Sequence, residues 1–267
     1  MTFEPTPAVL LGRLRETSPL VQCITNYVAM NIAANVLLAA GASPAMIHAP
    51  EEAGEFARIA GALTINIGTL SAPWIPGMTA AAEAANAAGR PWVLDPVAHF
   101  ATAFRRRTAA DLLKLRPTII RGNASEIIAL AGGEGAGQGV DSGDPVERAE
   151  GAARSLAETW NAVVAVTGPV DFVTGGGRAA RVFGGSELMP RVTALGCSLT
   201  CLVGAFAAVA PEAPFEATVA ALAVFAAAGR QAERGAEGPG SFAVGFLDAL
   251  HRLDGRALET EARIECP

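Results

Sequence analysis

With 267 residues, 51% of them hydrophobic, and a mean hydropathy of +0.34, the chain can bury a large core and is expected to form one domain over residues 1–267. Its formal net charge of −6 and pI near 5.2 argue against a general nucleic-acid surface. The longest apolar runs, 197–210 and 217–228, fall short of the roughly 18 residues that span a bilayer, so no membrane partner is expected either.

In chain order, residues 5–16 predict an amphipathic opening helix that stops before Ser18-Pro19, because the residue before a proline is pushed out of helical geometry. A short strand follows at Leu20–Ile24, closing on Thr25-Asn26-Tyr27, and then a helix containing Asn35–Ala40 that ends at Gly41. Pro44–His48 reads as a second strand and Ala53–Ala60 as a helix. Leu63–Ile67 is a strand ended by Gly68, a helix runs from about Pro76 to Ala88, and Trp92–Leu94 carries Asp95-Pro96 at its tip. A helix over 109–115 leads to Thr118–Ile120 and Arg121-Gly122-Asn123.

Beyond a glycine-rich loop at 132–144 and a helix at 146–159 come three strand-like pieces, 162–166, 170–174 and 179–183. Gly175-Gly176-Gly177 predicts that the last two form a hairpin. The final third reads as helices at 197–209, 215–229 and 241–253. Short apolar strands alternating with helices imply an α/β fold whose sheet is mainly parallel and covered on both faces. Ligands of such sheets sit at the carboxyl ends of the strands. Those ends carry Asn26, Met46, Gly68, Asp95, Arg121 and Thr167.

The stretch Pro190–Phe206 is read as leaving a strand through Thr193-Ala194-Leu195-Gly196 and placing Cys197 in the first turn of a buried helix. Unpaired N–H groups and the helix dipole make such a turn suitable for an anion and favour a thiolate. Read by itself, Cys197 is a small buried residue at a helix start; the chemical reading comes from the company it keeps elsewhere in the chain. Asp95 and Glu126 are carboxylates that could hold Mg²⁺ beside phosphates. Each also has a structural reading, Asp95 as a helix cap and Glu126 in a first turn capped by Asn123.

The only lysine is Lys114 and no G-x-x-x-x-G-K-[ST] occurs, which excludes a Walker-type nucleotide loop. A kinase built from this chain must meet phosphate charge with Arg121, a divalent cation and backbone N–H groups. The three histidines, His48, His99 and His251, have no metal-ligand spacing and are assigned no chemistry. Cys23, Cys197, Cys201 and Cys266 form no zinc pattern and are expected to be reduced thiols. The first twenty residues show neither a basic leader nor a small-residue cleavage site, so a cytoplasmic location is expected.

Taken in order, the strand-end motifs resemble the hydroxyethylthiazole kinase family of the ribokinase-like superfamily. They are Ile24-Thr25-Asn26-Tyr27-Val28 with Met30-Asn31, Gly41–Met46, Asn66-Ile67-Gly68-Thr69-Leu70, Leu94-Asp95-Pro96-Val97, Ile120–Glu126, Gly139-Val140-Asp141-Ser142, Val166-Thr167-Gly168, Gly196-Cys197 and Gly238–Phe242. The resemblance covers nearly the whole chain.

It implies a ribokinase-like three-layer α/β sandwich and Mg²⁺-dependent transfer of the ATP γ-phosphate to the alcohol of 4-methyl-5-(2-hydroxyethyl)thiazole, a thiamine-salvage reaction. By similarity Met46 contacts the thiazole with Asn26, Gly68 and Ala194 close to it, Asp95 and Glu126 organise Mg²⁺, and Arg121 and Thr167 bind ATP. Cys197 stands beside the substrate hydroxyl, as a base or as a group that positions it. The family is typically trimeric with thiazole bound between subunits.

Three stretches depart from the family pattern. Ala194 and Leu195 stand within a segment that is usually Thr-Gly-x-Gly, His99 and Phe100 add bulk after Asp95-Pro96-Val97, and Gln22 replaces a histidine that often stands two positions before the Ile-Thr-Asn motif. Kinases of another heterocyclic alcohol such as hydroxymethylpyrimidine, a Mg-ATP-binding protein with impaired catalysis, and a hydrolase with a Cys197 nucleophile are the alternatives.

Overall fold

The computed structural model describes residues 3–133 and 143–267. Its elements in chain order are α1 (Pro7–Thr17), β1 (Leu20–Ile24), α2 (Met30–Ala40), β2 (Ser43–Ala45), α3 (Ala53–Ile59), β3 (Ala62–Asn66), α4 (Ile75–Ala87), β4 (Trp92–Asp95), α5 (Ala103–Lys114), β5 (Ile119–Asn123) and α6 (Ala124–Leu130). Then come α7 (Val146–Trp160), β6 (Val163–Thr167), β7 (Val170–Gly175), β8 (Arg178–Phe183), α8 (Leu195–Val209), α9 (Pro214–Glu233), α10 (Pro239–Arg252), α11 (Gly255–Glu261) and β9 (Arg263–Glu265). The Gly139–Ser142 motif lies outside the described residues.

The strands form one sheet in the order β2-β1-β3-β4-β5-β6-β7-β8-β9. Strands β2 to β6 of that series are parallel, and β7, β8 and β9 are added antiparallel. The hairpin expected at Gly175–Gly177 is present, with Gly176 and Gly177 in the left-handed region that its tight turn demands. Side chains of the central strands alternate between two hydrophobic layers: Val93, Ile119, Val163 and Ala165 face one, and Leu94, Ile120, Val164 and Val166 face the other. The first layer is closed by α1, α2 and α8–α11, the second by α3–α7. This is the two-sided cover that uninterrupted apolar strands require.

Several boundaries differ from the sequence reading. The Pro44–His48 strand is cut to Ser43–Ala45, leaving His48 in a loop. The 109–115 helix begins six residues earlier, where Thr102 accepts a hydrogen bond from Arg105 N–H and caps it. The short α11 and β9 carry too little periodicity to be read from sequence; β9 borrows its hydrogen bonds from β8. No strand leads into Cys197: β8 has ended at Phe183, and a single 3-10 turn at Met189–Arg191 precedes α8. The Val192-Thr193 pair looks strand-like in sequence, but it has no neighbouring strand to pair with.

Helix α8 is pressed onto the sheet at Gly204, where an added Cβ would come 2.5 Å from Thr64 Cγ2. Gly204, Cys201, Thr200 and Cys197 fall on one helical face because they follow the three- and four-residue spacing of a helix. Contact at Gly204 sets how far the first turn of α8 stands from the tips of β1, β3 and β4.

A candidate phosphoryl-transfer site at the strand ends

Five neighbouring strands carry, at or near their carboxyl ends, polar groups that join into one row of hydrogen bonds and an ion pair. Asn26, just past β1, donates through Nδ2 to Asn66 Oδ1 at 2.8 Å. Asn66, the last residue of β3, donates through its own Nδ2 to Asp95 Oδ2 at 2.7 Å. Asp95, at the tip of β4, also accepts from Thr200 Oγ1 at 2.7 Å and lies 3.6 Å from Arg121 Nη1. Arg121, on β5, reaches Thr167 Oγ1 at the tip of β6. Cys197 closes over this row from the first turn of α8, its Sγ 3.3 Å from Asn26 Nδ2.

The electrostatics of the row follow from burial. Asp95 is fully buried; desolvation pushes its carboxyl above the usual range, opposed by Arg121 and by the hydrogen bonds from Thr200 and Asn66. Its Oδ1 is buried with no hydrogen-bond partner. Glu126 is pushed up to about 7 by burial and then by the Asp95 charge, while N–H groups of Asn123 and Ala98 hold it back. Glu126 and Asn123 form a reciprocal capping box at the start of α6, so the structural reading of this pair holds as geometry.

Cys197 overturns the expectation of a favoured thiolate. Burial and the neighbouring Asp95 push its thiol up to about 12, against weaker help from Asn26, Arg121 and Asn66. At neutral pH the group is a thiol.

The turn before α8 is built on Ala194, whose φ of 61° lies in the left-handed region. No side chain caps the helix there, which leaves the early N–H groups of α8 open. Gly196 lets the helix start pass close to the guanidinium: a Cβ would stand 3.1 Å from Arg121 Nη1 and press on it. Gly68 is held to glycine more strictly, since a Cβ would lie 2.6 Å from Asn26 Nδ2 and 2.8 Å from its Cβ. Arg105 of α5 donates to the carbonyls of Ile67 at 2.7 Å, Val97 at 2.9 Å and Gly68, tying the ends of β3 and β4 together.

A cleft of about 770 Å³ opens beside this row and is lined by Arg121, Thr167, Gly168, Asp171, Leu195 and Gly196 with residues of the segment before α8 and of α9. Of the residues singled out in the sequence, Asn26, Gly68, Asp95, Arg121, Thr167 and Cys197 belong to the row or touch it, Ala194 shapes the turn above it, and Glu126 sits just behind Asp95. Met46 directly follows the edge strand β2, half-buried against the layer of α1, α2 and α8–α11, and lines neither the row nor the cleft.

His99 and Phe100 line a separate hollow between α5 and α6, with Arg106, Leu113, Ala129 and Leu130, so their bulk is not directed into the cleft of Arg121 and Thr167. Sequence reasoning passed over Asn66, Thr200 and Asp171. Asn66 was visible as a polar strand end two residues before Gly68, and Thr200 as the residue one helical turn after Cys197; nothing local marks Asp171.

The Hydroxyethylthiazole kinase family profile matches residues 11–256. A hydroxyethylthiazole kinase of Rhizobium leguminosarum bv. trifolii is 73% identical over 264 residues, covering 99% of both chains. The structure of a hydroxyethylthiazole kinase protein from Pyrococcus horikoshii superposes with a TM-score of 0.90 at 43% identity, covering 98% of both chains. A ribokinase-like superfamily protein from Enterococcus faecalis superposes with a TM-score of 0.62 at 11% identity, over 92% of this chain and 89% of that one, which is likeness of fold alone. With its strand-end row, its covered parallel sheet and these relatives, the chain belongs to the hydroxyethylthiazole kinase family and has the ribokinase-like α/β fold.

Proposed function

We propose that the protein transfers the γ-phosphate of ATP to the hydroxyl of 4-methyl-5-(2-hydroxyethyl)thiazole, as in thiamine salvage, with the whole chain acting as one kinase domain. The observation that carries this reading is the convergence of Cys197, Asp95, Arg121 and Thr167, from one helix start and three adjacent strands, beside a cleft of about 770 Å³.

Arg121 and Thr167 bind the nucleotide phosphates in that cleft, joined by the open N–H groups at the start of α8. Positioning and charge neutralisation supply most of phosphoryl-transfer catalysis, so a site without a lysine is sufficient. Asn26 and Gly68 border the acceptor end, and Ala194 shapes the turn over it. Met46 reaches the thiazole from the edge strand.

The donor set suits Mg²⁺. Asp95 Oδ1 is a buried hard oxygen with no partner, and the buried carboxyl of Glu126 lies behind it. When bound, Mg²⁺ would neutralise phosphate charge. Asp95 and Glu126 would hold it, directly or through water.

Cys197, a thiol at neutral pH, positions the acceptor hydroxyl and is not the base that ionises it beforehand; the hydroxyl loses its proton late in the transfer. A free thiol in the site suits a reducing cytoplasm. The protein works as a homotrimer with acceptor sites between subunits, a reading supported by Tyr27 and Val28, 63% and 57% exposed directly beside Asn26, and by Leu38, 60% exposed on α2.

The test is mass-spectrometric detection of phosphorylated hydroxyethylthiazole after incubation with ATP and Mg²⁺, with hydroxymethylpyrimidine and other heterocyclic alcohols in parallel. Thiazole phosphate should form, and chelation of Mg²⁺ should abolish it. A product from a different alcohol only, or ATP binding without any product, would overturn the assignment.

A further inference from the structure

Two backbone donors decide which way the amides of the strand-end row point. Ala29 N–H, which can only donate, lies 3.1 Å from Asn26 Oδ1, so that atom is the carbonyl oxygen and the NH₂ of Asn26 faces Asn66 and Cys197. Gly68 N–H lies 2.9 Å from Asn66 Oδ1, so the carbonyl of Asn66 faces Gly68 and Asn26, and its NH₂ must face Asp95. Neither amide can flip without setting two donors or two acceptors against each other in a buried place. Asn66 is 2% exposed and Asn26 4%.

We propose that Asn66 is a positioning residue which sets both halves of the site at once: its carbonyl holds the Asn26 amide beneath Cys197, and its NH₂ occupies Asp95 Oδ2, leaving Oδ1 as the free oxygen. The inference deepens the kinase reading and rests on it for its kinetic consequences. Asn26, anchored by Asn66, supplies the hydrogen bond that holds Cys197 Sγ at the acceptor end. Asp95 is prevented from rotating because Oδ2 receives Asn66 and Thr200 together. One amide thereby fixes the distance between the alcohol and phosphate ends, and small misplacements of reacting groups are costly, on the order of a hundredfold in rate.

The test uses full-length Asn66→Ala and Asn66→Asp proteins with Asn26→Ala and the Asn26→Ala/Asn66→Ala double variant. The first readout needs no substrate: solvent exchange of the Asn26 side-chain NH₂ in a ¹⁵N-labelled sample, the signal being identified by its loss in Asn26→Ala. Asn66→Ala should speed this exchange by about tenfold or more, and Asn66→Asp, which keeps an acceptor for Asn26, should restore the slow exchange.

The second readout is kinetic. Asn66→Ala should lower kcat about a hundredfold with KM for ATP within about threefold of wild type, and the double variant should be no slower than the worse single variant. Asn66→Asp should stay slow despite an ordered Asn26, because two buried carboxyl groups in contact cannot both ionise, and the proton they share replaces both the neutral NH₂ donor and the free charge of Asp95. Unchanged exchange in Asn66→Ala, or additive kinetic losses, overturns the proposal. If Asn66→Ala does not fold, the decision falls to Asn66→Asp: fast exchange or wild-type kcat overturns it. Wild-type protein with no transferase activity removes the kinase reading but leaves the exchange result to decide the positioning of Asn26.

Discussion

Gly204 of α8 meets Thr64 of β3 so closely that the missing side chain defines the contact: a Cβ would lie 2.5 Å from Thr64 Cγ2. Thr200 and Cys197 stand one and two turns nearer the helix start on the same face, so the height of α8 above the sheet becomes the height of Cys197 above the strand ends. Gly204→Ala should lift the helix. We expect a loss of about 1–3 kcal/mol in denaturant unfolding, with a kcat loss of about tenfold or more that exceeds the change in KM for ATP. Wild-type kcat in a destabilised variant would show that the helix start is held independently of this contact.

Ala194 carries a backbone conformation that costs an L residue with a Cβ on the order of 1–2 kcal/mol. Glycine removes that strain and gives back part of the gain as unfolded-state entropy. Ala194→Gly should therefore raise Tm by roughly 1–3 °C and leave kcat equal or higher. A fall in Tm would show that the alanine methyl contributes packing worth more than the strain.

The Cys197 thiol, pushed up to about 12, should be slow to alkylate. At pH 7.5 iodoacetamide should modify the exposed Cys266 well before Cys197, as followed by peptide mass mapping. Transfer by the wild type should show no activation that tracks a thiol ionisation between about pH 7 and 9. Cys197→Ser, which retains a hydrogen-bonding group, should keep more activity than Cys197→Ala. Fast alkylation with a matching rise in kcat would return Cys197 to the role of base.

Asp171 lines the cleft, accepts a hydrogen bond from Gly168 N–H at 3.0 Å and is pushed up to about 7 by burial, against that hydrogen bond and the Arg121 charge. Between its ordinary value and 7 the folded state binds a proton that the unfolded state has released, so stability falls as pH rises through this window. Asp171→Asn mimics the neutral form. Its Tm should exceed that of wild type by roughly 5 °C at pH 8, with the gap closing toward pH 4. A gap that does not vary with pH would mean the carboxyl titrates normally.

Much of the architecture was written in short-range pattern. Alternating apolar strands and helices determined a covered parallel sheet, Gly175–Gly177 determined a hairpin, and the ordered motifs around Asn26, Asp95, Arg121, Thr167 and Cys197 carried the family resemblance, because periodicity and turn residues are local properties. Protonation and connection belonged to the tertiary structure. Cys197 looks like an activated thiol at a helix start until the buried Asp95 beside it is placed, and desolvation is a property of everything packed around a group. The row from Asn26 through Asn66 to Asp95 joins residues 40 and 29 positions apart, so no window of sequence contains it. Its polarity is settled by Ala29 and Gly68, two backbone N–H groups whose place only the folded chain decides.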